Sequence, residues 1–154
     1  MQAYSIDGVR QERTGWRDQG ISERHRQWGF NCPAVDLDFL MVEYNKGIPV
    51  GLVEYKHFKA MQPNLKHATY RALVALAEAS GLPFVIAFYW PDTWAFRVYP
   101  INDTAKRHFK SEYEDMSEMQ FVTRLYKIRY LAVGQELTGK LNTILPPKVH
   151  EVTA

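Results

Sequence analysis

Residues 35–56 read VDLDFLMVEY, NKG and IPVGLVEYK, and this segment predicts an antiparallel β-hairpin. Residues 35–44 are rich in side chains that favour strands, and residues 45–47 have the composition of a tight turn. Residues 48–56 form the second strand, where Pro49 is tolerated near the start. The two strands are therefore expected to be neighbours in a sheet, with side chains that alternate between its two faces.

Helical patterns lie on both sides of the hairpin. Ser22 is a candidate N-cap of a short helix that ends near Gly29. Asn64 is a candidate N-cap of a longer helix that stops at Gly81. The apolar face of that longer helix is predicted to comprise Leu65, Ala68, Ala72, Leu73, Leu76 and Ala79.

The second half of the chain predicts two more strands and a helix. The apolar run 83–90 is typical of a central strand covered on both faces, and residues 93–99 alternate as its hairpin partner. Residues 101–116 show no clear pattern. Ser117 and Gln120 fit a capping box that opens a helix reaching about Val133. The order α-β-β-α-β-β-α predicts an α/β fold with a central mixed β-sheet flanked by helices.

The composition is that of one globular domain. Hydrophobic residues make up 46% of the 154 residues and charged residues 23%, close to globular averages. A net charge of +2 excludes a protein that holds nucleic acid by bulk charge alone. The single cysteine, Cys32, excludes an intrachain disulfide and a cysteine-based zinc site, and it suits a reducing compartment. No apolar run has the length of a membrane span and the N-terminus lacks a signal-peptide pattern, so we expect a soluble cytoplasmic protein without a membrane partner.

The polar residues of the hairpin carry the chemistry. Asp36 and Asp38 share one face of the first strand, and Glu54 and Lys56 share one face of the second. If Lys56 lies opposite Asp38, all four fall on one sheet face, at the edge of an apolar surface. Clustered carboxylates need a compensating charge, and hard oxygen ligands suit Mg²⁺ or Mn²⁺. The alternative is that these residues are ordinary surface polar groups that protect an edge strand from aggregation.

This pattern resembles the PD-(D/E)XK nuclease superfamily. Asp38 followed by Glu54-Tyr55-Lys56 is similar to its D…(D/E)-x-K core, and Cys32-Pro33-Ala34-Val35-Asp36 is similar to the proline-led approach to the first aspartate. The resemblance covers roughly residues 20–100 and implies a restriction-endonuclease-like core. It also implies that Asp38 and Glu54 bind the metal and that Lys56 acts on the attacking water. Either Asp36 or Asp38 could be the family aspartate; Asp38 is favoured, with Asp36 as an assisting catalytic residue and second ligand.

Further residues are candidates around this core. Glu23, or less well Glu12, stands where many family members carry an extra glutamate on the first helix, so Glu23 is a candidate metal ligand. The helix after the lysine strand often carries polar residues that face the site, for which Asn64, His67 and Tyr70 are available. Candidate DNA-binding residues form a basic rim: Arg24, Arg26, Lys59, Lys66, His67 and Arg71. Trp90 and Trp94 span a turn, where core packing or an oligomer contact is favoured over base stacking.

The resemblance leads to a metal-dependent endodeoxyribonuclease as the expected function. One nuclease-like domain over residues 1–154 is expected, with an arginine-rich arm (about 1–20) and a loose tail (about 145–154). The short chain favours a structure-selective enzyme for branched or junction DNA, and Holliday-junction resolvases of similar size act as homodimers. A phage-encoded nuclease that acts in the host cytoplasm is another option. The alternatives are a catalytically silent nucleic-acid-binding module on the same fold and a paired-carboxylate hydrolase such as a glycosidase.

Overall fold

The structure is a computed structural model that describes residues 19–43, 46–110 and 112–133. The chain divides into two compact units, and the boundary falls after Asp36. The helices and strands run in the order α1 (Gln19–Gln27), β1 (Phe39–Glu43), β2 (Ile48–His57), α2 (Ala68–Ser80), β3 (Phe84–Trp90), β4 (Ala95–Pro100), α3 (Asp103–Lys106), β5 (Glu114–Met116) and α4 (Glu118–Val133). The predicted arm (about 1–20) lies mainly outside the described residues, and the predicted tail (about 145–154) lies wholly outside them.

The smaller unit contains α1 and a short 3₁₀ helix, Gly29–Asn31. Helix α1 begins at Gln19, before the predicted cap Ser22, so that prediction of the helix start is wrong. The His25 ring bonds to the Cys32 carbonyl, with 2.9 Å between Nε2 and the oxygen, and it packs on Trp28. These contacts link α1 to the residues that follow it, up to Cys32.

Five strands form one mixed sheet in the order β1-β2-β3-β4-β5. Strands β1 and β2 are antiparallel, β2 and β3 are parallel, and the pairs β3–β4 and β4–β5 are antiparallel. Helix α2 connects the parallel pair, as a parallel connection requires a crossover. The predicted α/β class with a central mixed sheet flanked by helices is confirmed.

The hairpin is present, but its register differs from the predicted one. Phe39 pairs with Val53, and a bulge between Met41 and Val42 shifts the pairing toward the turn. The pairing of Phe39 with Val53 brings Asp38 to the level of Glu54 rather than Lys56. The difference arises at the turn end of the hairpin, where Glu43 pairs with Ile48. The bulge places two residues of β2 opposite one of β1 and moves the pairing one residue back toward the predicted register. Asp38, Glu54 and Lys56 still share the predicted face, since the partner of Asp38 changes by two residues and side chains alternate with a period of two.

Each face of the sheet is covered by helices. On one face, called the α2 face below, side chains of β2 and β3 pack against Leu73 and Ala77 of α2, forming a core with Leu52, Phe84, Ile86 and Phe88. On the other face, called the α4 face, α3 and α4 cover Val53, Val85, Ala87, Phe96 and Val98. All of Phe84–Phe88 is buried, which confirms the prediction of a strand covered on both faces.

Helix α2 differs from its prediction at its start and on its inward face. His67 is the N-cap, with Nδ1 accepting a hydrogen bond from the Thr69 amide. Asn64 instead closes a turn by accepting from the Lys66 amide. Of the predicted apolar face only Leu73 is buried, whereas Leu76 is half exposed. Gly81 ends the helix with φ 69°, as predicted for a left-handed C-cap.

Local side-chain bonds organise the region after β4. Asn102 is buried; its Oδ1 accepts from the amides of Phe84 and Ala105, and its Nδ2 donates to the Leu82 carbonyl. Asn102 therefore ties the start of β3 to α3. The predicted capping box of α4 is confirmed, since Ser117 and Gln120 exchange reciprocal side-chain-to-backbone bonds.

Candidate functional site

Glu54 is the central residue of the candidate site. It lies two residues after Leu52 on β2, so its side chain projects on the α2 face, beside Ile86 of β3. Glu54 is only 9% exposed. Its Oε2 is buried and has no hydrogen-bond partner. A buried carboxylate oxygen without a partner is costly in a stable fold, which makes it a candidate for binding a ligand.

Asp38 lies beside Glu54 at the entrance of the neighbouring strand. It immediately precedes β1 and is exposed. Its Oδ2 accepts a hydrogen bond from the backbone amide of Tyr55, at 3.2 Å. This bond fixes the Asp38 side chain against β2 just where the regular pairing of β1 ends. One carboxylate of the site is therefore buried and the other is open to solvent.

Lys56 supplies the positive charge of the site. Its Nζ lies 3.6 Å from Glu54 Oε1, and its side chain is partly buried. The ammonium group also lies over the ring of Tyr70 from α2, 5.8 Å from the ring centroid. Tyr70 lies in the first turn of α2, so packing of α2 on the sheet is what brings it to the lysine.

The surroundings of the site raise the pKa of both Glu54 and Lys56. Burial and, second, the neighbouring charge of Asp38 raise the pKa of Glu54, while Lys56 opposes this shift. Hydrogen bonding to Tyr70, and to a smaller extent the charge of Glu54, raises the pKa of Lys56 against the effect of burial. Lys56 is therefore a stable ammonium ion at neutral pH, suited to donating hydrogen bonds rather than accepting a proton. A cation bound between Asp38 and Glu54 would remove the repulsion that raises the pKa of Glu54.

The donor set matches a hard divalent cation. Asp38 and the unpartnered Oε2 of Glu54 provide carboxylate oxygens, and Mg²⁺ often binds through one or two carboxylates while it keeps several water ligands. Among residues 19–43, 46–110 and 112–133, no group of three or more His, Cys, Asp or Glu side chains has the arrangement of a metal site. Asp36 and Glu23 belong to the smaller unit, and their predicted roles as ligands stay predictions.

The predicted DNA-binding residues occupy several places. Lys59 is exposed and its Nζ lies 5.6 Å from the centroid of the Phe58 ring. Lys66 is in the loop before α2, His67 is the α2 cap, and Arg71 is exposed on the first turns of α2. Arg24 and Arg26 lie on the last turn of α1, in the smaller unit. The role of these residues in binding DNA stays a prediction.

Two features of the structure went unpredicted from the sequence. Glu43 is fully buried, and Arg129 of α4 donates to its Oε2 from Nε at 2.7 Å. Phe58 stacks on Trp90, with ring centroids 5.7 Å apart. The only sequence signal for the buried Glu43 is its place as an acidic residue within a predicted strand. The stacking of Phe58 on Trp90 depends on the parallel pairing of β2 with β3.

No helix in the described segments has the length and apolar character needed to cross a membrane.

Comparisons with known proteins leave the family of the chain open. No family model, curated protein or solved structure matches the chain.

Proposed function

We propose that the protein is a metal-dependent nuclease that hydrolyses DNA phosphodiester bonds, built on a restriction-endonuclease-like core. The observation that carries this proposal is the Oε2 atom of Glu54, which is buried and has no hydrogen-bond partner. Glu54 lies beside Asp38, and its other carboxylate oxygen, Oε1, is 3.6 Å from Nζ of Lys56. Two carboxylates and a lysine on neighbouring strands are the residues that the D…(D/E)-x-K resemblance assigns to catalysis.

Each residue has a separate task in the proposed reaction. Asp38 and Glu54 would hold Mg²⁺ or Mn²⁺, which when bound lowers the pKa of a water ligand and neutralises charge on the phosphate. Lys56 donates hydrogen bonds that orient the attacking water and stabilise negative charge on the phosphoryl oxygens. Tyr70 keeps the lysine in place through its contact with the ammonium group. The raised pKa of Lys56 favours the ammonium form, which suits the role of orienting the water.

The fold supports this proposal through the position of the hairpin. Asp38 and Glu54 lie at one level of the β1–β2 pair, and α2 then returns the chain to β3, parallel to β2. The site therefore lies on the α2 face near one edge of the sheet, where Asp38 is open to solvent and the Lys56 side chain is partly exposed. A phosphodiester backbone is thin enough to approach such an edge without a deep cavity.

A cleavage panel tests the proposal. Purified protein is incubated with single-stranded, duplex, flapped and four-way-junction DNA in Mg²⁺, Mn²⁺ or EDTA. We expect cleavage with either metal and none in EDTA. Lys56→Ala should lower the rate at least about 100-fold, the scale of losing one preorganised donor. Lys106→Ala is a matched control, because this lysine forms only an exposed pair with Asp103.

A catalytically silent DNA-binding module on the same fold is the second candidate. It would use exposed basic side chains near the site, such as Lys59 and Lys66, without a metal. Such a module would bind DNA equally well in EDTA, would cleave nothing, and would be unaffected by Glu54→Gln. That result across the panel would refute the nuclease.

A further inference from the structure

An aromatic pair continues the row of functional side chains along β2. Glu54, Lys56 and Phe58 are spaced two residues apart, about 6.6 Å between neighbours in an extended strand. Phe58 follows the last residue of β2, yet its amide still donates to the Tyr89 carbonyl at 3.0 Å. The extended pairing with β3 thus reaches Phe58, and its ring lies on the α2 face as the Lys56 side chain does.

Phe58 is accessible and its orientation is fixed. The ring stacks on Trp90, with an interplanar angle of 15°, and Trp90 itself packs against the core of the α2 face. Phe58 is 36% exposed, a large value for a phenyl ring fixed by stacking. The loop that follows is held over the same face, since Gln62 Nε2 donates to the Tyr99 hydroxyl at 3.1 Å.

Positive charge lies beside this ring and near it along the chain. Lys59 lies over the Phe58 ring and is exposed, and Lys56 precedes it in the row. Lys66 lies in the same loop connecting β2 to α2 and is also exposed. An open aromatic ring with an exposed lysine over it suits a group that is planar at one end and anionic at the other. An unpaired nucleotide has that chemistry, whereas the bases of a duplex are stacked and inaccessible.

We propose that Phe58, supported by Trp90 and flanked by Lys59, is a stacking subsite for an unpaired base next to the phosphate held at Glu54 and Lys56. This inference rests on the proposed nuclease function and deepens it, since it assigns single-stranded or locally unpaired DNA as the substrate class. Lys59 would then leave the ring and contact the phosphate of the stacked nucleotide. Phe58 contributes binding and positioning and takes no part in the chemical step.

The second aromatic pair of the sheet provides a matched control. Trp94 stacks on Tyr89, with ring centroids 5.9 Å apart and an interplanar angle of 17°. Tyr89 packs on the α4 face, the side of the sheet away from Glu54 and Lys56. The exposed fraction of Trp94, 37%, is nearly that of Phe58. Loss of Trp94 therefore removes an equally exposed ring from the wrong side of the sheet.

Binding in EDTA, where cleavage is blocked, tests the subsite. The probes are a fluorescently labelled oligothymidylate of 12 nucleotides and a blunt duplex, both at one fixed salt concentration because affinity depends on it. Phe58→Ala and Phe58→Leu should weaken binding of the single strand about five-fold or more and leave duplex binding unchanged. Phe58→Leu keeps apolar volume on Trp90, so it separates loss of the ring from loss of folding. Phe58→Trp should retain single-strand affinity, and Trp94→Ala should have no effect.

The outcomes separate this inference from the function on which it rests. Unchanged single-strand affinity in both Phe58→Ala and Phe58→Leu overturns the subsite, as does an equal loss in Trp94→Ala. If the subsite fails in this way while Lys56→Ala abolishes metal-dependent cleavage, the nuclease proposal stands alone. If Phe58 controls single-strand binding but no metal supports cleavage, the subsite stands and the hydrolytic function is refuted.

Discussion

Glu54→Gln is expected to stabilise the metal-free protein while it abolishes the response to metal. The substitution keeps the shape of the side chain and removes a buried negative charge that faces Asp38. A buried charged oxygen without a hydrogen-bond partner costs about 2 kcal/mol, and removing its charge relieves this cost. Weakening of the partly exposed contact with Lys56 costs up to about 1 kcal/mol. The free energy of unfolding should therefore rise by about 1 kcal/mol, or about 2–4 °C in Tm for a chain of this size.

Metal reverses this order of stability. At a Mg²⁺ concentration ten times Kd, a single site adds about 1.4 kcal/mol to the unfolding free energy of the native sequence. Glu54→Gln lacks the carboxylate that binds the cation, so its unfolding free energy should not change with Mg²⁺. Urea unfolding in EDTA and in a Mg²⁺ series, followed by circular dichroism, gives both values.

The other buried glutamate provides a control of opposite sign. Glu43 has the same side chain, is buried more deeply and also has one oxygen without a partner, but Arg129 binds its other oxygen. Glu43→Gln should lower the unfolding free energy by about 3 kcal/mol, because one partner of a buried ion pair is lost. If both substitutions lower the unfolding free energy of the metal-free protein alike, the charge of Glu54 does not destabilise the fold and the argument for a ligand site at this residue is wrong.

Three further predictions concern pH and local structure. The pKa of Glu54 is raised in the fold, so this residue favours the folded state most below its ordinary pKa of 4.5, and this contribution is lost as the pH rises through the folded pKa. The stability advantage of Glu54→Gln in EDTA should therefore vanish near pH 4 and grow toward neutral pH. Gly81→Ala should lower the free energy of unfolding by about 1 kcal/mol in chemical denaturation, because φ is 69° and an added Cβ meets no other atom within 4 Å. Gly81→Asn should lower it less, and an equal loss would contradict a conformational origin of the effect. Asn102→Ala should cost about 3 kcal/mol, since three backbone partners lose their bonds, and a loss below 1 kcal/mol would show that water replaces the side chain.

The parts of the fold that local sequence determines were predictable. The hairpin follows from strand alternation around Asn45–Gly47, the end of α2 from Gly81, and the start of α4 from the reciprocal bonds of Ser117 and Gln120. The register was missed because neither the pairing of Glu43 with Ile48 next to the turn nor the bulge between Met41 and Val42 has a signal in an apolar run. Helix α3 and strand β5 are too short for periodicity, and α3 depends on tertiary bonds of Asn102.

The candidate site was predictable in its members but not in its environment. Alternation places Glu54 and Lys56 on one face, and Asp38 joins them in the predicted and the observed register alike, because the two differ by two residues. The burial of Glu54 and the contact of Lys56 with Tyr70 depend on how α2 packs over β2. The spacing of α2 predicted the wrong inward face, because Leu76 is apolar yet half exposed. Pairwise packing of this kind is not encoded in hydrophobic periodicity alone.

The two carboxylates of the site differ in how firmly the sheet holds them. Within the described segments β1 pairs only with β2, whereas β2 is bonded on both sides. Amide protons of β1 should exchange with solvent through local opening at low free energy, and those of β2 only through larger openings. Binding a cation between the two strands would suppress the opening of β1, and part of the binding energy would be spent on ordering this edge. Metal affinity would thus report on the flexibility of a single strand, and slower amide exchange at Leu40–Val42 would be its measure.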